Sequence, residues 1–177
     1  MASETRPSAG VLAWLNALPL SEARPVLQRC CGAARWVEGM LRSRPFTSAT
    51  ELFERADKVW LELEAPDFLE AFSHHPEIGQ NLDELRREFA ATAELSLGEQ
   101  AGAAGASEAT LEALRRQNGA YRARFGYSFI VCATGRTAGE MLGLLEGRQH
   151  NAPDVELGIA AAEQAKITRL RLEKLTT

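Results

Sequence analysis

The stretch Ser107–Ala133 reads SEATLEALRRQNGAYRARFGYSFIVCA, and its two halves ask for different backbones. Across the first half, Leu111, Leu114, Asn118, Tyr121 and Phe125 share one face at helical spacing. A helix starting at Ser107 therefore buries a stripe that contains one amide. Gly126 is suited to its C-cap, because glycine takes a left-handed turn at no steric cost. Tyr127–Ala133 (YSFIVCA) is the one β-like run in the chain. A lone strand leaves backbone N–H and C=O groups unpaired, and no partner strand is evident. The expectation is extended or irregular chain lining a pocket in an otherwise helical protein.

Outward from this stretch the pattern stays helical. Thr137 with Glu140 opens a helix through Leu145, and Asp154 caps a long last one carrying Val155, Ile159, Ala162, Ile167 and Leu170. Val11–Leu20 reads as a first helix and its end. Ser21 to about Ser43 reads as a second, with Ser21 as N-cap, Glu22 in the first turn and Pro45 barring continuation after Arg44. Cys30, Trp36 and Met40 are its expected core contacts. Ser48 and Glu51 form a capping-box pattern ahead of Leu52, Ala56, Val59, Trp60 and Leu63, and Pro66 ends that run. A short helix, Asp67–Ser73, delivers the chain to His74, His75 and Pro76, and Leu82–Leu95 is amphipathic through Leu82, Leu85, Phe89 and Ala93. The predicted fold class is all-α, a single compact domain over residues 1–177 with about seven or eight helices.

Composition agrees with one globular core, at 45% hydrophobic and 25% charged residues. A net charge of -4 gives little long-range attraction for nucleic acid or anionic lipid. No uncharged run, Gly126–Gly135 included, reaches the roughly 20 residues that span a bilayer, so no membrane anchor is expected. Of the basic residues only Lys58, Lys166 and Lys174 are lysines; the rest are arginines, whose planar fork suits carboxylates. Cys30, Cys31 and Cys132 make neither a disulfide framework nor a metal pair, which fits a reducing compartment. With no Ser-Lys-Leu ending after Leu175-Thr176-Thr177, a cytoplasmic location is expected.

Three histidines are candidates for chemistry. His75 precedes a proline, which disfavours helical geometry and holds the residue at a helix exit, where an imidazole can project into a cleft. By itself the residue reads first as a cap for the preceding helix and second as a proton-transfer group, for which an imidazole is suited near neutral pH. His74 has no comparable geometric argument, and His150 sits in a polar connection where solvent exposure is expected. His74, His75 and Glu77 lack the spacing of a helical metal pair, so no metal is expected. Ser96, Glu99 and Gln100 follow the capping-box form and read as a helix start, which can also offer N–H groups to an anion. Neither a Gly-rich phosphate cradle nor a Gly-x-Ser-x-Gly elbow occurs.

Three motifs taken in order are more specific than any one alone. They are His75-Pro76-Glu77-Ile78-Gly79, then Ser96-Leu97-Gly98-Glu99-Gln100-Ala101-Gly102, then Asn118-x-x-Tyr121-x-x-x-Phe125-Gly126 running on through Ala133. Supporting marks are Cys30 or Cys31 with Trp36, Arg44-Pro45-Phe46, Asn151 with Glu156, and Lys166-Ile167-x-Arg169-Leu170-Arg171-Leu172. Together they resemble the 2-oxo-4-hydroxy-4-carboxy-5-ureidoimidazoline (OHCU) decarboxylase family across nearly the whole chain.

The resemblance implies an all-α fold, commonly a homodimer, acting in purine breakdown after uric acid has been oxidised and its first product hydrolysed. Release of carbon dioxide gives (S)-allantoin. It implies His75 as the catalytic histidine and Glu99 as its acidic partner. Pro76, Ser96, Leu97, Gly98, Glu99, Gln100, Phe129, Ile130, Val131, Cys132 and Ala133 would line the site for the ureide substrate. The substrate's own ring C=N can accept the electron pair left by carbon dioxide, so no cofactor is demanded. Arg169 and Arg171 are candidates to meet the carboxylate. Two departures from the family pattern stand out: the stretch from His75 to Ser96 is about one helical turn longer than in many relatives, and Arg148-Gln149-His150-Asn151 replaces a common Arg-Leu-Gly-Asn. The competing readings are a non-catalytic helical module that binds a ureide or a partner, and a related enzyme acting on another ureide.

Overall fold

The computed structural model describes residues 7–75, 83 and 107–176. Among them are eight helices: α1 Ala9–Ala17, α2 Leu20–Cys30, α3 Ala34–Arg42, α4 Ala49–Leu61, α5 Ala65–Ser73, α6 Glu108–Phe125, α7 Ala138–Arg148 and α8 Pro153–Glu173. No strand occurs among the described residues, and the all-α expectation holds. Of the helix expected at Leu82–Leu95 only Asp83 is described, and it is helical; the rest lies outside the described residues. The chain divides into two compact units, one of Met1–His74 with Ala161–Thr177 and the other of His75–Ala160.

In the first unit the helix expected from Ser21 to about Ser43 is two helices, with Cys31 extended between them at φ -145°, ψ 127°. Tertiary contacts explain the break. The carboxylate of Glu70 in α5 accepts the Ala34 N–H at the start of α3, satisfying a donor that a continuous helix would have bonded internally. Gly32 lies against the ring of His74, and a Cβ added there would stand 2.4 Å from His74 Cγ. Nothing larger than glycine fits. Gly32→Ala is therefore expected to lower stability by about 1–3 kcal/mol, the usual cost of overpacking, as read by urea denaturation; an unchanged midpoint would show that the ring yields freely.

The expected core contacts of this unit are met. Trp36 and Met40 are fully buried with Leu27 and Leu52, and the Trp36 indole N–H donates to Ala56 O at 3.1 Å. Gly39 lets α3 approach α4 closely, since a Cβ there would be 2.5 Å from Val59 Cγ1. Pro66, expected to end the α4 run, instead lies in the first turn of α5, where its missing N–H costs nothing. Glu64 and Asp67 cap that turn reciprocally.

Cys30 and Cys31 are buried free thiols. Burial pushes Cys30 up to about 12 and Cys31 up to about 11 from an ordinary value of 9.0. The unfolded chain therefore loses these protons first, while the folded chain keeps them until pH 11–12. The folded state binds more protons in that window, so stability should fall as pH rises through it. Urea midpoints measured from pH 8 to pH 11 are expected to decline, with a shallower slope in a Cys30→Ala, Cys31→Ala variant; equal slopes would remove the thiols as the cause.

In the second unit α6 starts at Ser107, whose hydroxyl accepts the Thr110 N–H, and ends on Gly126 at φ 83°. Both termini match the sequence reading. Leu111, Leu114 and Tyr121 are buried, with Asn118 and Phe125 at the margin of the stripe; the Asn118 amide donates back to Leu114 O at 3.0 Å. Thr137 and Glu140 make both bonds of the expected capping box at the start of α7. Leu111, Leu114 and Tyr121 pack with Ala138, Met141 and Leu145 as one core.

The face expected on the last helix is displaced. Val155 is 52% exposed, and the buried positions of α8 are Glu156, Ala160, Ala161, Gln164, Thr168 and Leu172. Half of that buried face is polar. The sequence reading went to the branched aliphatic residues, whereas the structure buries a carboxylate and an amide because each finds donors or acceptors. Gln164 donates to Thr168 Oγ1 at 3.1 Å, and the partners of Glu156 are described below. α8 also begins at Pro153, one residue before the expected Asp154 cap, so Asp154 becomes a first-turn acid.

Candidate active site

Of the residues singled out for the site, His75 and Phe129–Ala133 are described and belong to one unit, His75–Ala160. Pro76, Ser96, Leu97, Gly98, Glu99 and Gln100 lie outside the described residues. His75 is half-buried and follows the C-cap residue of α5. The residue before it is held twice: the His74 backbone N–H donates to Ala71 O at 3.2 Å, and the His74 ring packs on Gly32. His74, not His75, is thus the C-cap of α5. His150 is exposed, as expected.

The run Tyr127–Ala133 is neither helix nor strand. Its alternate residues Tyr127, Phe129, Val131 and Ala133 all pack on the core of α6 and α7, which is the period of an extended chain. Two arginines donate to carbonyls of this run. Arg148 Nη1 donates to Ile130 O at 2.8 Å, and Arg136 Nε donates to Cys132 O at 3.1 Å. For these two carbonyls the partner that a neighbouring strand would supply comes from a side chain.

Arg148 is itself held by a buried carboxylate. Glu156 is fully buried, and Arg148 is 8% exposed. Arg148 Nε lies 2.8 Å from Glu156 Oε1 and Arg148 Nη2 lies 2.5 Å from the same oxygen. The Tyr121 hydroxyl donates to it at 2.5 Å, while Asn151 Nδ2 donates to Oε2 at 2.8 Å. Burial, with the hydrogen bond to Glu156, holds the Tyr121 phenol far above its ordinary value, so it stays a donor. The Arg148 guanidinium also lies 4.6 Å over the Phe129 ring, and Tyr121 meets that ring edge-on at 5.2 Å. The departure at residues 148–151 is accommodated here: Arg148 and Asn151 both reach Glu156, and Gln149 Nε2 donates to Gln117 O at 2.9 Å.

Neither carboxylate candidate stands idle. Arg169 pairs with Glu173 at 3.4 Å and lies 4.3 Å over Phe53. Arg171 Nη1 meets Arg29 O and Cys30 O, each at 3.4 Å. Among the described residues no group of three or more His, Cys, Asp and Glu is arranged to hold a metal ion, and no helix is long and apolar enough to cross a membrane.

Comparison with known proteins bears on what these residues serve. A family model described as OHCU decarboxylase matches residues 16–173. The chain belongs to the OHCU decarboxylase family. It is similar to the uric acid degradation bifunctional protein TTL of Arabidopsis thaliana, 42% identical over 82% of this chain and 45% of that protein. This chain thus spans less than half the length of that relative. It is also similar to the 2-oxo-4-hydroxy-4-carboxy-5-ureidoimidazoline decarboxylase of Haloferax volcanii, 29% identical over 77% of this chain and 79% of the relative. A crystal structure of an OHCU decarboxylase in the presence of (S)-allantoin superposes with a TM-score of 0.68 at 38% identity, covering 83% of this chain and 94% of that one. A crystal structure of (S)-allantoin synthase shares the fold, with a TM-score of 0.67 at 21% identity, covering 91% of this chain and 52% of that one. The family reading made from the motifs therefore holds. In this member of the OHCU decarboxylase family, Arg148 and Arg136 are the residues that sequence reasoning missed. Arg148 had been met only as part of a loop departure, and its spacing of eight residues from Glu156 matches no helical pairing rule.

Proposed function

We propose that this protein is a cofactor-independent OHCU decarboxylase that forms (S)-allantoin, with His75 as its acid/base group. The observation that carries this reading is the similarity, at 38% identity over 94% of its length, to an OHCU decarboxylase crystallised in the presence of (S)-allantoin. The order of the His75-Pro76, Ser96–Gln100 and Phe129–Ala133 motifs supports it.

In the proposed reaction the bond between the hydroxyl-bearing carbon and its carboxylate breaks and carbon dioxide leaves. The electron pair forms a double bond to the ureido-bearing carbon, and the ring C=N takes the displaced pair and a proton at nitrogen. His75 accepts the hydroxyl proton as that carbon becomes a carbonyl. The ureido-bearing carbon gains a proton on one face only, which sets the product's hand. Glu99 orients the ureido or ring N–H groups. Pro76, Ser96–Gln100 and the backbone of Phe129–Ala133 hold the rest of the ureide.

The deciding experiment generates the substrate in place, from uric acid oxidised and hydrolysed enzymatically, and follows circular dichroism with and without this protein. Rapid appearance of one allantoin enantiomer is expected. Racemic product at the spontaneous rate would instead favour a non-catalytic ureide-binding module. The companion readings are a homodimer, which rests on family resemblance and is tested by sedimentation, and a reducing cytoplasmic setting, with which the buried thiols of Cys30 and Cys31 agree. Residues 1–177 working as one domain is likewise a proposal; α8 runs without a break from Pro153 to Glu173 and contributes to both compact units.

A further inference from the structure

We infer that Arg148 is a positioning residue for the ureide: it presets the backbone of Phe129–Ala133 by grasping the Ile130 carbonyl, while Glu156, Tyr121 and Asn151 hold its guanidinium in place. This rests on reading that segment as substrate-lining. Two of the three guanidinium nitrogens, Nε and Nη1, make hydrogen bonds, and Nη2 adds only an ion-pair contact. Nε and Nη2 face Glu156 Oε1, and Nη1 turns to Ile130 O at 2.8 Å. The same guanidinium lies over the Phe129 ring. One planar side chain therefore grips two successive residues of the segment, from the backbone of one and the ring of the other.

Energetics favours this role over simple stabilisation. A buried ion pair pays a desolvation penalty that an apolar pair of similar volume avoids, so stability alone is a weak reason for it. What an apolar pair cannot supply is a rigid donor aimed at one carbonyl. The fixed fork of arginine can face a carboxylate and a carbonyl in one plane, whereas a lysine ammonium is a single point at the end of a flexible stem. A ureide held through backbone groups needs those groups set before it arrives, because ordering them on binding weakens affinity.

The test compares Arg148→Lys with the unaltered protein by steady-state kinetics and by amide hydrogen exchange. The variant keeps a positive charge beside Glu156 but lacks the fork. Exchange at residues 129–133 is expected to quicken at least about 10-fold. KM for OHCU should rise at least about 10-fold, with kcat changed by less than about 3-fold, as for a lost binding contact. Leu52→Ala, a core change in the other unit, should lower the denaturation midpoint and leave KM unchanged. Arg148→Lys with unaltered KM and unaltered exchange at 129–133 overturns the inference. Should Arg148→Lys fail to fold, Asn151→Ala keeps the ion pair and loosens only Glu156. It should raise KM about 3-fold, and an unmoved KM there also overturns the inference. If the unaltered protein does not turn over OHCU, the proposed activity fails, and the exchange comparison alone still judges whether Arg148 orders the segment.

Discussion

His75→Asn is expected to slow formation of (S)-allantoin at least about 100-fold while leaving the fold intact, the loss typical when a general acid/base is removed. Asparagine retains a polar side chain of similar reach but cannot take up a proton near neutral pH. The end of α5 should be undisturbed. His75 is half-buried beyond the end of α5, and the capping hydrogen bond and the contact with Gly32 belong to His74. Far-ultraviolet circular dichroism and the urea midpoint should match the unaltered protein, and the deficit should appear in kcat. His74→Asn makes the complementary comparison, because it alters the packed ring without touching the proposed acid/base group. A near-normal kcat in His75→Asn would end the role assigned to this imidazole, whatever the family.

The second large effect is on stability. Glu156→Ala leaves the guanidinium of Arg148 buried without its carboxylate, and breaking a buried pair in this way costs about 3–5 kcal/mol. It also strips an acceptor from Tyr121 and Asn151. Tyr121→Phe grades the prediction, since it removes one hydrogen bond to a charged group and leaves the pair intact, for a loss of about 1.5–3 kcal/mol. Urea denaturation of both variants should rank Glu156→Ala as the more damaging. A cost below about 1 kcal/mol for Glu156→Ala is what an exposed pair gives, and it would contradict the burial described.

Much of the helical framework was legible because its signals are local. Ser48, Ser107 and Thr137 cap helices with their own hydroxyls, and Gly126 closes α6 in the left-handed region. Such bonds span three or four residues and can be read from spacing. The break at Cys31–Ala33 was not legible, since it depends on Glu70 and His74 arriving from α5. The last helix was misread for a related reason: helical period marks which residues share a face, and branched aliphatics suggested Val155 where the fold buries Glu156.

By itself, then, the sequence determined the all-α class, the extended run after Gly126, the family, and the order of motifs that nominates His75. Only the tertiary structure decided which polar groups lie inside and what holds them. Arg148, Glu156, Tyr121 and Ile130 come from separate parts of the chain, and each is an ordinary residue until the others surround it. Burying a carboxylate is favourable only when donors converge on it from several elements. That convergence is a property of packed helices, which no local spacing encodes.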